Sequence, residues 1–175
     1  MKAITIWQPW ASLLACGAKQ YETRSWKTDY RGPIAIHAAQ KDIYKIMKQL
    51  PKEIVMPIFL ALYEGLEINS YAQDYMEKTQ GCIIATAELV NCWHIVYHPG
   101  SDIDTAKHIK IGAELDVPKH HPDFHRYIVP TEQEMSFGDW TPGRYAWELA
   151  NVKILPKPIP AKGQQRLWNW EVEDE

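Results

Sequence analysis

Residues 19–26 hold the densest set of groups able to do chemistry: Lys19, Glu22 and Arg24, with Trp26 just behind them. On an extended strand Glu22 and Arg24 point the same way, because they are two positions apart and side chains alternate faces. A carboxylate beside two cations stays ionised. It can orient a nucleobase, activate a water for attack on an amide or phosphodiester, or simply pair with Arg24. A surface ion pair contributes roughly 0–1 kcal/mol, so stability alone does not demand this grouping. Lys19 and Glu22 are therefore the candidate catalytic residues, with Glu22 as general base and Lys19 stabilising developing negative charge.

The neighbouring stretches add groups suited to binding. Trp7, Trp10 and Trp26 can offer flat faces to nucleobases, since single-stranded RNA is read largely by stacking and base-edge hydrogen bonds. The competing role is core packing: Trp10 shares a helical face with Leu13 and Leu14, whereas Trp7 and Trp26 fall on polar faces. The Gln8 amide both donates and accepts, which suits a Watson–Crick edge and equally a helix cap. Arg31 and Arg144 flank glycines and aromatics, as phosphate contacts or as solubilising turn residues. His37 can donate to a ligand or act as acid or base, or be a satisfied structural imidazole. His120, His121, Asp123 and His125 superficially resemble a metal site. Pro122 disfavours the helix that would align His121 with His125, so no metal and no cofactor is assigned.

Short elements must position these groups. Residues 3–7 read as a strand with Ile4 and Ile6 on one face and Thr5 and Trp7 on the other. A helix follows, with Pro9 suited to its first position and Gly17 as a left-handed stop. Its amino end would expose N–H groups to a phosphate or carboxylate. Residues 20–26 read as a second strand and 33–38 as a third, with Ile34 and Ile36 inward and His37 opposite.

The run IWQPWASLL, then G-x-K-x-x-E-T-R-S-W, then YRGPIAIHAA resembles the ASCH (activating signal cointegrator homology) domain in order and spacing. Later blocks, GCIIATAELV over 81–90 and GRYAWEL over 143–149, resemble that family's remaining strands. The resemblance implies an α+β fold, a small PUA-like β-barrel with peripheral helices and a long inserted loop. It also implies a ligand cleft between the block at 7–10 and the block at 19–31, and an association with RNA. One bacterial branch of the family removes acetyl from N4-acetylcytidine with a Lys, a Thr three residues later and a distant Glu, and another is described as cleaving RNA with metal help. Here Lys19 matches the Lys, but Glu22 stands where the Thr belongs. Thr23, one step on, faces the other side of an alternating strand. The amidohydrolase set therefore does not carry over intact.

Length and composition fit one domain over 1–175, since 46% of 175 residues are hydrophobic and a chain of this size builds one well-buried core. The net charge of −3 announces no nucleic-acid partner, so any basic site is a local patch, whereas eight Trp and nine Tyr are a stronger hint. Apolar runs fall short of the roughly 20 residues of a membrane span, and the amino terminus lacks a signal pattern. Cys16, Cys82 and Cys92 form no C-x-x-C pair and read as reduced thiols. Together these features predict a cytoplasmic protein with no membrane association.

Between the blocks, residues 41–78 read as a helical insertion: Ile43, Ile46, Met47 and Leu50 share one face, Ile58, Leu62 and Leu66 another, and Asn69 caps a further piece. Residues 81–94 read as a long buried strand. Residues 97–142, with five Pro and five His, show no sustained period and read as a covering loop or lid with short helical pieces. Residues 144–155 read as strand. Lys162, Arg166, Trp168 and Trp170 either extend a nucleic-acid surface or close a barrel edge, ahead of a solvated acidic tail.

The reading favoured by these residues is an RNA- or nucleotide-binding protein. Trp7 and Trp26 stack, Gln8 and Glu22 read a base edge, Lys19, Arg24 and Arg31 hold phosphate, and His37 and Arg144 add contacts. Two alternatives stand beside it: a hydrolase acting on RNA or a modified nucleoside, and a protein-interaction module.

Overall fold

The computed structural model describes residues 1–66, 72–99, 109–115 and 127–171. Asn69, His120, His121, Asp123, His125 and the acidic tail past Glu171 lie outside them. The chain forms two compact units, one of Met1–Gln20, Gly32–Glu88 and Ala150–Glu175, the other of Tyr21–Arg31 and Leu89–Leu149.

The first unit opens with β1 (Lys2–Ile6), which runs parallel to β3 (Gly32–Ala38) with Ile4 opposite Ile36 and Thr5 opposite His37. The other edge of β1 pairs antiparallel with β8 (Leu167–Asn169), and Ala3 faces Trp168. Main-chain bonds between Met1 and Trp170 run both ways, at 2.7 and 2.8 Å, and tie the two ends of the chain together. Trp168 and Trp170 are not a surface: they are buried with Ala3, Ala35 and Ile83. That burial takes both rings out of any nucleic-acid surface and puts them to work in packing, where large aromatic rings contribute most. Helix α1 (Trp10–Ala15) buries Leu13 and Leu14 while Trp10 is half-buried, and Gly17 (φ +77°) turns the chain out of it. The described residues of 41–78 form three helices. These are α2 (Ile43–Gln49), capped by the Asp42 carboxylate on the Lys45 N–H at 3.1 Å, α3 (Lys52–Leu66), and α4 (Ala72–Lys78). Ile58 and Leu62, four apart on α3, are fully buried.

The second unit contains β2 (Tyr21–Arg24), antiparallel to β7 (Tyr145–Pro160) with Glu22 opposite Trp147 and Arg24 opposite Tyr145. The long strand β4 (Cys82–Pro99) pairs here with β5 (Ile109–Leu115), which carries β6 (Tyr127–Ile128). Where 97–142 was expected to be mostly loop, its described residues form these strands and helix α5 (Glu132–Ser136), capped by Thr131. Trp93, Ile95, Trp140 and Ala146 form the core, with the Trp140 indole N–H donating to the Glu134 carbonyl at 2.8 Å.

Hydrogen bonding links the strands in the order β2-β7-β4-β3-β1-β8, with β5 on β4 and β6 on β5. Among the described residues no pairing joins β2 to β8, so the fold is an α+β arrangement on an open mixed sheet rather than the closed barrel the resemblance implies. No described helix is long and apolar enough to cross a membrane.

Candidate functional site

The expected site residues divide between the units: Trp7, Gln8, Lys19 and His37 belong to the first, and Glu22, Arg24, Trp26, Arg31 and Arg144 to the second.

In the first unit β1 buries Ile4 and Ile6 and then delivers Trp7 to the surface, 51% exposed. The Lys41 ammonium lies 5.3 Å from the centre of the Trp7 ring, a distance at which the negative ring face attracts a cation. Gln8, the next residue, is buried. Its side-chain oxygen accepts from the Ser12 N–H at 3.1 Å and the Ser12 hydroxyl at 2.8 Å, and its N–H₂ donates to the Thr79 hydroxyl at 3.0 Å. Thr79 in turn donates to the Tyr75 carbonyl at 2.8 Å. This is the capping role, extended into a tether between α1 and the end of α4. The same bonds answer the expectation of an anion at the α1 amino end. The N–H groups of Ala11, Ser12 and Leu13 already reach the Trp7 carbonyl, the Gln8 amide and the Pro9 carbonyl.

Lys19 is 1% exposed, and its backbone N–H donates to the Leu13 carbonyl at 3.0 Å just past α1. A lysine side chain this deep has its polar end matched by partners within the fold, which makes Lys19 a fixed group rather than a mobile surface one. His37 is also buried, because β3 is covered on both faces. Its Nε2 lies 3.0 Å from the Ala161 carbonyl, so that nitrogen carries the proton of the neutral ring, while Nδ1 is buried without a hydrogen-bond partner. The ring meets Trp168 edge-on at 5.8 Å, and Gly163 presses against it so closely that an added Cβ would lie 2.7 Å from Nδ1. Burial pushes the His37 pKa down, against the carbonyls of Ala161 and Gly81, which favour the charged form.

In the second unit Glu22 is largely buried, and one of its oxygens lies 3.1 Å from Nε of Arg24, on the same side of β2. Trp26 is half-buried: it packs edge-on to Trp147 with ring centres 4.5 Å apart, and its carbonyl accepts the Trp147 indole N–H at 3.3 Å. Arg31 is exposed and uses Nη1 to hold its own turn, donating to the carbonyls of Thr28 and Tyr30. Arg144 pairs through Nε with Asp139 Oδ2 at 3.2 Å. The Asp139 carboxyl is held below its usual range, first by the Thr141 hydroxyl at 2.6 Å and also by Arg144. Among the described residues no three metal-ligating side chains converge.

The sequence profile described as ASCH domain matches residues 4–158. The chain belongs to the ASCH-domain family. It is also similar to activating signal cointegrator 1 of Homo sapiens, 33% identical over 90 residues, and to its Mus musculus counterpart, 32% identical over 90 residues. Each match takes in 51% of this chain and 14% of the relative, so the chain corresponds to a small part of those proteins.

Within this ASCH domain the Thr23 hydroxyl accepts the Asp139 N–H at 2.9 Å, which gives that side chain a turn-holding role in the second unit. Sequence reasoning missed Lys41 and Thr79. Thr79 lies 71 residues from Gln8, and nothing local marks a partner so distant. Lys41 follows β3 in a polar turn and shows no periodicity with Trp7.

Proposed function

We propose that this ASCH domain binds single-stranded RNA or a nucleotide, a partner with which its family is generally associated. The observation that carries the reading is the half-exposed Trp7 indole with the Lys41 ammonium 5.3 Å from its centre. A half-exposed indole with a cation over its ring suits a base stacked against the indole and a phosphate on the ammonium. Lys19, 1% exposed, is given no phosphate contact, and the exposed Arg31 and the Arg144 guanidinium are assigned to phosphate in the second unit. Gln8, Trp26 and His37 have structural partners, and the reading gives them no base contact.

A second reading, hydrolysis of RNA or a modified nucleoside, rests on Glu22, a largely buried carboxylate steered by Arg24 and able to serve as general base. One experiment addresses both. Labelled single-stranded RNA is titrated into the protein at low and moderate salt, and each sample is then held and run on a denaturing gel. Binding that weakens with salt while the RNA stays intact supports the binder, because phosphate contacts release counterions. RNA shortened by the native chain and spared by Glu22→Gln makes it a nuclease. Absence of binding at either salt concentration overturns the RNA reading and turns attention to the interaction-module alternative.

A further inference from the structure

A second feature of the first unit points to a different kind of ligand. A cavity of about 390 Å³ is lined by Tyr44 of α2, Phe59 of α3, and Ala72, Gln73, Asp74 and Glu77 of α4. The lining supplies two aromatic rings and two carboxylates but no cationic side chain. Its volume sits at the small end of ligand sites, which suits one long side chain better than a cofactor. Tyr44, one of the lining residues, is 66% exposed, so much of its surface is accessible to a ligand. Gln73 donates to Glu77 Oε1 at 3.0 Å and fixes the direction of that carboxylate. Lys45, the lysine beside Tyr44, is drawn to Asp42 at 3.7 Å on its own helix.

Phe59 also leads to an apolar strip. It stands three residues after Met56 and four before Tyr63, spacings that place all three side by side along a helix. Met56, Leu60 and Tyr63 are 70%, 59% and 65% exposed, a run of large apolar groups left in water next to the acidic, aromatic cavity. The complement of such a surface is an amphipathic helical segment that carries basic and apolar residues at helical spacing. An arginine or lysine enters between the rings and the carboxylates, and the apolar residues cover the strip.

We propose that the cavity between α2, α3 and α4 is a docking site for a basic, amphipathic segment of a partner protein, separate in residues and in charge from the RNA reading. The test uses two blocked, fluorescent peptides, one with leucine and arginine at helical spacing and one with glutamate in place of every arginine, each followed by anisotropy. The arginine peptide is expected to bind more weakly as salt rises, and the glutamate peptide is expected not to bind. Tyr44→Ala is expected to weaken binding about threefold through the lost cation–π contact. Asp74→Asn with Glu77→Gln is expected to weaken it about fivefold at low salt. RNA affinity stays unchanged in these variants, which separates failure of this proposal from failure of the RNA reading. Equal binding of both peptides, no binding of either, or an arginine-peptide affinity unmoved by the substitutions overturns the proposal. The peptide comparison on the unaltered chain decides the matter even if a variant folds poorly.

Discussion

Gln8→Ala should cost the protein stability well before it costs any ligand. The side chain is 1% exposed and makes three hydrogen bonds, two from Ser12 and one to Thr79. At about 1 kcal/mol net for each, their loss removes about 3 kcal/mol. The Ser12 N–H, left in a buried setting without its acceptor, makes this a lower bound. For a chain of this size each kcal/mol moves the melting temperature by about 2–4 °C, so the expected drop is about 6–12 °C. Thr79→Val removes the acceptor of the Gln8 N–H₂ together with the hydroxyl's own donation to the Tyr75 carbonyl, and should cost about 1–2 kcal/mol. Urea denaturation of the single and double variants measures the coupling directly, and the double variant should be less unstable than the two losses added together. A Gln8→Ala loss below about 0.5 kcal/mol, with additive behaviour in the cycle, would refute the tether and return Gln8 to the list of base contacts.

Two further perturbations probe the packing around His37. Gly163→Ala drives a methyl group against Cε1 and Nδ1 of the His37 ring and the Thr5 hydroxyl, and should cost about 1–3 kcal/mol by urea titration. Combining it with His37→Ala should recover part of that loss; no recovery would mean that the clash lies elsewhere. Burial holds the His37 pKa below the ordinary value of 6.5, so the unfolded chain takes up its proton first as pH falls. Stability from this group is therefore complete above pH 6.5 and declines below it until the folded-state value is passed. His37→Gln should flatten that part of the stability profile, and an unchanged slope would rule His37 out as its source.

Local alternation made the early strands legible. Ile4, Ile6, Ile34 and Ile36 mark the buried faces that β1 and β3 show, and Pro9 and Gly17 bracket α1. What alternation could not reveal was two-sided burial: β3 is buried from Ile34 to Ala38, so His37, on the face opposite the isoleucines, is enclosed as fully as they are. The aromatic residues show the same limit. Trp7 and Trp26 read alike in the sequence, yet Trp26 meets Trp147, 121 residues away, while Trp7 stays half in water. Pairings at such separations decide which candidates remain available, and neither composition nor period encodes them. Segment 97–142 misled for a related reason. Its prolines suggested loop, but Ile109–Leu115, which alternates apolar and charged residues, pairs along β4.

The measurement closest to the central claim is the affinity of a labelled single-stranded RNA for the native chain, for Trp7→Ala and for Lys41→Gln across a range of salt. Loss of one stacked base should weaken binding about tenfold in Trp7→Ala with little change in salt dependence. Lys41→Gln should lower the salt slope by about one phosphate contact. RNA affinity that is the same in all three proteins at every salt concentration would contradict the account, because Trp7 and Lys41 would then be no part of the binding surface.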